Sequence, residues 1–274
     1  MEHIAKDTCI VRNTSANTGR TQSVVPGATA SKYLHYGRII LGPGDGPLTF
    51  ATDQRETGLV CLKGSATVRA CGESFTANQY DSVYVPRDAS IEIVPGPDGC
   101  DFAEIAAPVS RAYPVQYVPY ASVQQDSGLH MTVGTAPNQR DVKILIGKNV
   151  EAGRILAGLT FSKPGNWTSW PPHEHAAMLE EAYLYIDMPA PSYGVQLVYT
   201  DQNDPELATI VREGDVVLMP EGYHPNVAAP GGSINFLWMM AAHRERDDRR
   251  YGVVNVHPDF ASVPSGLDKL RADR

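Results

Sequence analysis

Two histidines one residue apart, His173 and His175, close the run Trp167-Thr168-Ser169-Trp170-Pro171-Pro172-His173-Glu174-His175. In an extended chain, residues i and i+2 point to the same face, so both imidazoles can aim at one point. Two carboxylates follow after a short turn, in Glu180-Glu181-Ala182-Tyr183-Leu184-Tyr185. A third imidazole comes later, in Pro220-Glu221-Gly222-Tyr223-His224-Pro225. Three imidazoles and one carboxylate suit a divalent first-row transition metal. A lone histidine in a β-rich chain more often sits at the surface or hydrogen-bonds within the core. The whole constellation is far more specific: His-x-His on a strand, Glu at the next strand start, and His just after an apolar run ending in Pro.

The elements that must position these groups read as strands. From Tyr33 onward, short apolar runs such as Ile39-Ile40-Leu41, Leu59-Val60-Cys61-Leu62 and Val83-Tyr84-Val85 alternate with turn residues. Few windows show the 3.6-residue period of an amphipathic helix, and 24 Gly with 21 Pro disfavour long helices. The pattern predicts an all-β, antiparallel sandwich or jelly-roll barrel.

The second half repeats the first. Asp81-Ser82-Val83-Tyr84-Val85-Pro86 matches Asp215-Val216-Val217-Leu218-Met219-Pro220. Arg38 to Asp45 resembles Ile155 to Phe161 continued by Pro164-Gly165-Asn166. Duplication of a β unit is therefore the organising idea. It divides the chain into an arm (1–32), a first lobe (33–107), a crossover (108–140), a second lobe (141–242) and a tail (243–274). The repeat also contains a control. Ser90 stands where the second lobe has His224, and no histidine occurs between Thr49 and Glu56, where His-x-His would fall. The first lobe keeps the scaffold and lacks the ligands.

Composition sets the outer limits. A chain of 274 residues, 42% apolar, is long enough for one large domain or two ordinary ones. A net charge of -8 without a long basic run disfavours nucleic-acid and anionic-membrane partners. The start, Met1 to Asp7, lacks the apolar core of a signal peptide, and no apolar run approaches a membrane span. Cys9, Cys61, Cys71 and Cys100 show no C-x-x-C spacing and read as reduced thiols in a cytoplasmic protein, with Cys61 and Cys71 in apolar strand-like runs.

The motif residues resemble the cupin superfamily in its two-lobed (bicupin) form. Pro164 to His175, Leu179 to Tyr185, Pro220 to Pro225 and Phe236-Leu237-Trp238-Met239-Met240-Ala241 resemble the signature of the bacterial 5-deoxy-glucuronate isomerase family of inositol catabolism. The 5-keto-4-deoxyuronate isomerases of pectin breakdown share the metal motif. The resemblance implies two jelly-roll β-barrels and metal ligands at His173, His175, Glu181 and His224. Glu180 rivals Glu181, because its distance from His175 matches the pectin-pathway family. The two point to opposite faces of a strand, so only one can serve. Departures from the inositol-pathway pattern are Ala176 after the second histidine, the short connection from Ala176 to Leu179, and the charged tail from His243 to Arg250.

The implied reaction is aldose–ketose isomerisation of a deoxy-uronic acid. A proton leaves the carbon beside a carbonyl, and an enediolate must be stabilised. A divalent cation with open positions suits that charge. Zinc is the first choice because it brings no redox side reactions, with Mn2+ or Fe2+ as alternatives. Candidate proton carriers are Tyr183, Tyr185, Tyr223 and the glutamate that is not a ligand. Trp167 and Trp170 are candidate pocket walls, Trp170 and Tyr223 candidate substrate contacts, and Arg154, Lys163 and Arg212 candidate partners of the substrate carboxylate. Rival readings are an iron dioxygenase using the same cage and a non-catalytic sugar-acid-binding cupin. Exposed β edges and the arm favour a homo-oligomer.

Overall fold

The computed structural model describes residues 4–264. Nearly all regular structure is antiparallel sheet, as the short apolar runs predict. The strands that matter for the site are β1 (His35–Leu41), β2 (Arg55–Ala70), β3 (Ser82–Val85) and β4 (Ser90–Pro108) in the first lobe. In the second they are β5 (Arg140–Ile146), β6 (Ile155–Ser162), β7 (Leu179–Tyr185), β8 (Val216–Met219) and β9 (Asn235–Ala242).

The duplication holds down to strand register. In the first lobe Thr57 lies opposite Val85 on one side and Ala106 on the other, and Ala106 in turn lies opposite His35. In the second lobe Glu181 lies opposite Met219 and Met240, and Met240 lies opposite Leu156. Thr57 is thus the counterpart of Glu181, and Leu59 of Tyr183. A shift of one residue would turn every side chain to the other face, so a preserved register preserves which residues point inward. The first lobe spends those inward positions on packing: Ile39, Leu59, Val83, Ile91 and Phe102 are all fully buried in one apolar cluster.

The lobes do not form two closed barrels. The first lobe is one open eight-stranded sheet, and the second is a seven-stranded sheet facing a four-stranded one. Side chains rather than backbone bonds link those two sheets; the Tyr185 hydroxyl donates to Gln196 Oε1 across the gap at 2.6 Å. That leaves an interior wide enough for a site.

The arm and crossover are stitched into both lobes. Ile10–Val11 extends the second lobe's sheet beside β8, while Gly19–Val24 pairs with β1. From the crossover, Gln116–Val118 pairs with β3, and His130–Val133 pairs with β5. The tail returns to the second lobe, where Asn255–Val256 pairs with His173–Glu174; residues 265–274 of the expected tail lie outside the described residues. Among the described residues no helix is long and apolar enough to cross a membrane. No disulfide joins the four cysteines, and Cys71 is exposed. It occupies the left-handed turn position (φ 54°) between Ala70 and Gly72, which carries it past the end of β2.

Two glutamates fasten the lobes to each other in the same way. Glu56 of β2 accepts the N–H groups of Gly153, Arg154 and Ile155, at 2.7, 2.6 and 2.8 Å, where β6 begins. Its counterpart, Glu180 of β7, accepts those of Lys32 and Tyr33, each at 2.7 Å, and of Leu34, just before β1. Each carboxylate is buried and satisfies three consecutive donors that the strand ladder leaves open. Losing one would leave backbone donors buried without acceptors, at about 1–3 kcal/mol per group. Glu56→Ala and Glu180→Ala should therefore each lower stability to guanidinium unfolding by about 3 kcal/mol or more, with the Gln variants intermediate. Losses below about 1 kcal/mol in both Ala variants would show that the contacts carry little of the lobe junction.

Candidate metal centre

The second lobe's inner face gathers three of the four expected ligands tightly. Donor atoms of His175, Glu181 and His224 all lie within 4.8 Å of one another. Glu181 Oε2 is 2.9 Å from His175 Nε2 and 3.2 Å from His224 Nε2. His173 stands outside that tight set but in the same wall, its ring centroid 5.1 Å from that of His224. The His-x-His strand is only His173–Glu174; His175 opens the turn in which its carbonyl accepts the Met178 and Leu179 N–H groups. The i, i+2 relation survives, and Glu174 points outward to Ala176 N and Asn255.

Each imidazole is oriented from behind. His173 Nδ1 is 2.8 Å from Pro171 O, His175 Nδ1 is 3.1 Å from Leu179 O, and His224 Nδ1 is 2.9 Å from Gly222 O. A carbonyl only accepts, so each Nδ1 carries a proton; the Nε2 of His175 turns to Glu181, and every Nε2 faces away from its backing carbonyl. Such backing is what holds metal-ligating histidines in one tautomer and orientation. His224 Nε2 is buried and, with the ring proton on Nδ1, meets no donor among the described residues, only the Glu181 carboxylate oxygen at 3.2 Å. A buried polar atom of that kind needs a partner. The donor set therefore fits a divalent cation on an observation of this structure.

The charges in the cluster are consistent with that fit. Burial alone would raise the Glu181 carboxyl, but the facing charge and hydrogen bond of His175, with His224 beside it, hold it down at about 2. Burial works against a charged His175 too, and Glu181 outweighs it and raises the imidazole's pKa. His173 is pushed down to about 3, by burial first and then by the neighbouring His224, so it stays neutral and able to ligate.

Glu180 is not at this site, since its carboxylate faces the arm as described above. Tyr183 is in the cavity wall; its hydroxyl lies 2.8 Å from Ser169 Oγ and its ring stacks on Phe236 at 4.0 Å. Burial, and then the charge of Glu181, raises the Tyr183 hydroxyl well above the ordinary phenol range, so it remains a proton donor. Tyr185 is fully buried, and its hydroxyl is taken by Gln196, whose Nε2 donates to His224 O at 2.9 Å. It reaches the site only through the backbone that carries His224.

Trp170 and Tyr223 do not line the cavity. Trp170 packs on Trp167 and Phe260, at 5.3 and 5.0 Å between centroids, and Tyr223 packs on His257 at 4.7 Å. Both aromatics pin the tail, and the tail supplies Tyr251, Gly252, Val253 and Val254 to the cavity. Of the cationic candidates, Arg154 donates to the carbonyls of Pro108, Ala242 and His243, Lys163 is exposed beside Asp141, and Arg212 lies over the Tyr193 ring. None of these three lines the cavity, but Arg140 does. The inward alternation of Arg140, Val142 and Ile144 along β5 carried that signal, which turn-rich neighbours obscured. Gly158 makes room for the cavity's indole: a Cβ there would lie 2.2 Å from the Trp238 ring. Trp238 then stacks on Tyr251 of the tail at 4.5 Å.

Known proteins share both sequence and fold with this chain. The KduI/IolB family matches it over residues 9–262. The 5-deoxy-glucuronate isomerase of Geobacillus kaustophilus is 31% identical over 240 residues, covering 81% of this chain and 84% of the relative. That of Geobacillus thermodenitrificans is 31% identical over 240 residues, covering 81% and 85%. Among solved structures, an IolB-like protein from Salmonella typhimurium has a TM-score of 0.80 at 23% identity, over 93% of this chain and 98% of that one. A mutant of Bacillus subtilis oxalate decarboxylase has a TM-score of 0.65 at 14% identity, over 100% and 86%. These two likenesses are of fold, that of a two-lobed cupin. With both lobes and the described tail to residue 262 inside the match, the chain belongs to the KduI/IolB family.

Proposed function

We propose that this chain is a metal-dependent aldose–ketose isomerase that converts 5-deoxy-glucuronate to 5-dehydro-2-deoxy-gluconate in inositol catabolism. The observation that carries the reading is the buried convergence of His175, Glu181 and His224, with His173 beside them, in a chain whose relatives are named for that reaction. His173, His175, Glu181 and His224 would hold the cation, with Zn2+ as first choice and Mn2+ or Fe2+ as alternatives. When bound, it supplies positive charge to the neighbouring oxygens on which the isomerisation develops negative charge.

The chain's own groups do the rest. Tyr183, kept protonated by burial and by Glu181, offers a hydroxyl to a substrate oxygen, and Ser169 orients it. Val142, Phe236, Trp238 and Met240 make the remaining wall apolar and exclude water. The enclosed space is about 40 Å³, room for an ion and a water rather than a six-carbon acid. Substrate entry therefore requires the cavity wall to open, and the Tyr251–Val254 stretch forms part of that wall. Turnover without dioxygen or a nicotinamide separates this reading from an iron dioxygenase, which would consume oxygen, and from a binding protein, which would turn over nothing.

Elemental analysis of purified protein should find close to one divalent metal per chain. His173→Ala and His224→Ala should each weaken metal retention by more than the roughly 100-fold typical of losing an outer partner of a ligand. Unchanged metal content in both variants would remove the basis of the reading. Tyr183→Phe keeps the stacking on Phe236 and removes only the hydroxyl. It should lower kcat by about 10²-fold or more with metal content unaltered. A kcat within about threefold of the parent would take Tyr183 out of proton transfer.

A further inference from the structure

We propose that Arg140 is the seat of the substrate's carboxylate, so that the sugar acid lies with its carbonyl end at the imidazole cluster and its acid end at this guanidinium. The assignment rests on the sugar-acid reading above and adds the residue that makes the site prefer an acid. Arg140 is 4% exposed and is the one arginine or lysine among the described residues lining the cavity. It has no ion pair among the described residues. The guanidinium's single hydrogen bond there runs from Nη1 to Asn138 O, at 3.1 Å. A guanidinium has five N–H donors in a planar fork, so most of them are left for a ligand. An arginine fork matches a carboxylate bidentately, with both charge and direction satisfied.

Two other arginines that reach inward are held by carboxylates. Arg38 lies 2.5 Å from Asp101, and Arg20 is held by Glu104 at 2.7 Å. Arg140 instead stands in desolvating surroundings that lower its pKa, with only the Tyr251 and Tyr183 hydroxyls to offset them. An uncompensated buried charge is costly, and a protein keeps one where a ligand supplies the counter-charge. Tyr183 and Tyr251 line the same cavity as Glu181 and Arg140.

The test uses the metal-loaded, full-length protein and two ligands that cannot isomerise. One is the substrate with its aldehyde reduced to the alcohol; the other is the same molecule with the carboxylate also reduced. Calorimetry should show the wild type binding the acid more tightly than the neutral twin. Arg140→Gln should weaken the acid roughly 100-fold and the neutral ligand by less than about threefold, with Arg140→Lys between. Metal content should hold, and the melting temperature of the free Gln variant should stay level or rise, because an unpaired buried charge is gone. A merely structural arginine would lower melting and weaken both ligands alike, and that result would overturn the assignment. If Arg140→Gln does not fold, Arg140→Lys and the wild-type preference decide; a wild type that binds the two ligands equally overturns it. Should the wild type isomerise nothing yet keep an Arg140-dependent preference for the acid, the isomerase reading fails and the carboxylate seat stands.

Discussion

A carboxylate stays charged in an apolar interior only where positive charge or several N–H donors face it, and the second lobe is arranged around that constraint. Glu181 is 3% exposed on an inner strand, with three histidines brought round it from two separate connections. Isolated ion burial costs several kcal/mol, so the cluster is tolerable only when its charges close on one another. Backbone carbonyls behind the rings fix where the protons sit, and Gln196 ties Tyr185 to the backbone of His224. The parts that look peripheral in sequence, including the tail and its aromatic anchors, serve to keep water away from this group.

The duplicated scaffold shows what the site requires beyond the fold. Both lobes use the same strand register and the same glutamate device to grip the partner lobe's first strand. One residue further along, the lobes diverge: Thr57 in the first, Glu181 in the second. Leu59, Val83 and Phe102 then fill the first lobe's interior, where the second keeps a cavity. The first lobe repeats the scaffold of the second without its imidazoles, and it fastens the start of β6.

Much of this was legible in the sequence. Turn spacing gave the strands, and matched Asp-x-x-x-x-Pro segments gave the repeat, because both depend on local pattern. The Glu180–Glu181 choice was not legible, since alternation says only that the two oppose each other. It is decided by which face meets the arm, and the parallel behaviour of Glu56 would have been the clue. Tyr185, Trp170 and Tyr223 carried the right chemistry at nearly the right place, but Gln196 and the tail occupy them. Arg140 and Tyr251 reach the cavity from the crossover boundary and the tail, segments whose tertiary path no local period reveals. Whether the jelly-roll sheets close was not legible either: closure depends on edge strands meeting, and here side chains bridge the gap.

The central claim is that one cation is held by His175, Glu181 and His224, with His173 completing the set. Anomalous diffraction from crystals of the metal-loaded protein tests it most directly. A single peak per chain at about 2.0–2.2 Å from His173, His175 and His224 Nε2 and from a Glu181 carboxylate oxygen is the predicted result. A peak elsewhere, or one that leaves two of these imidazoles uncoordinated, would contradict the account.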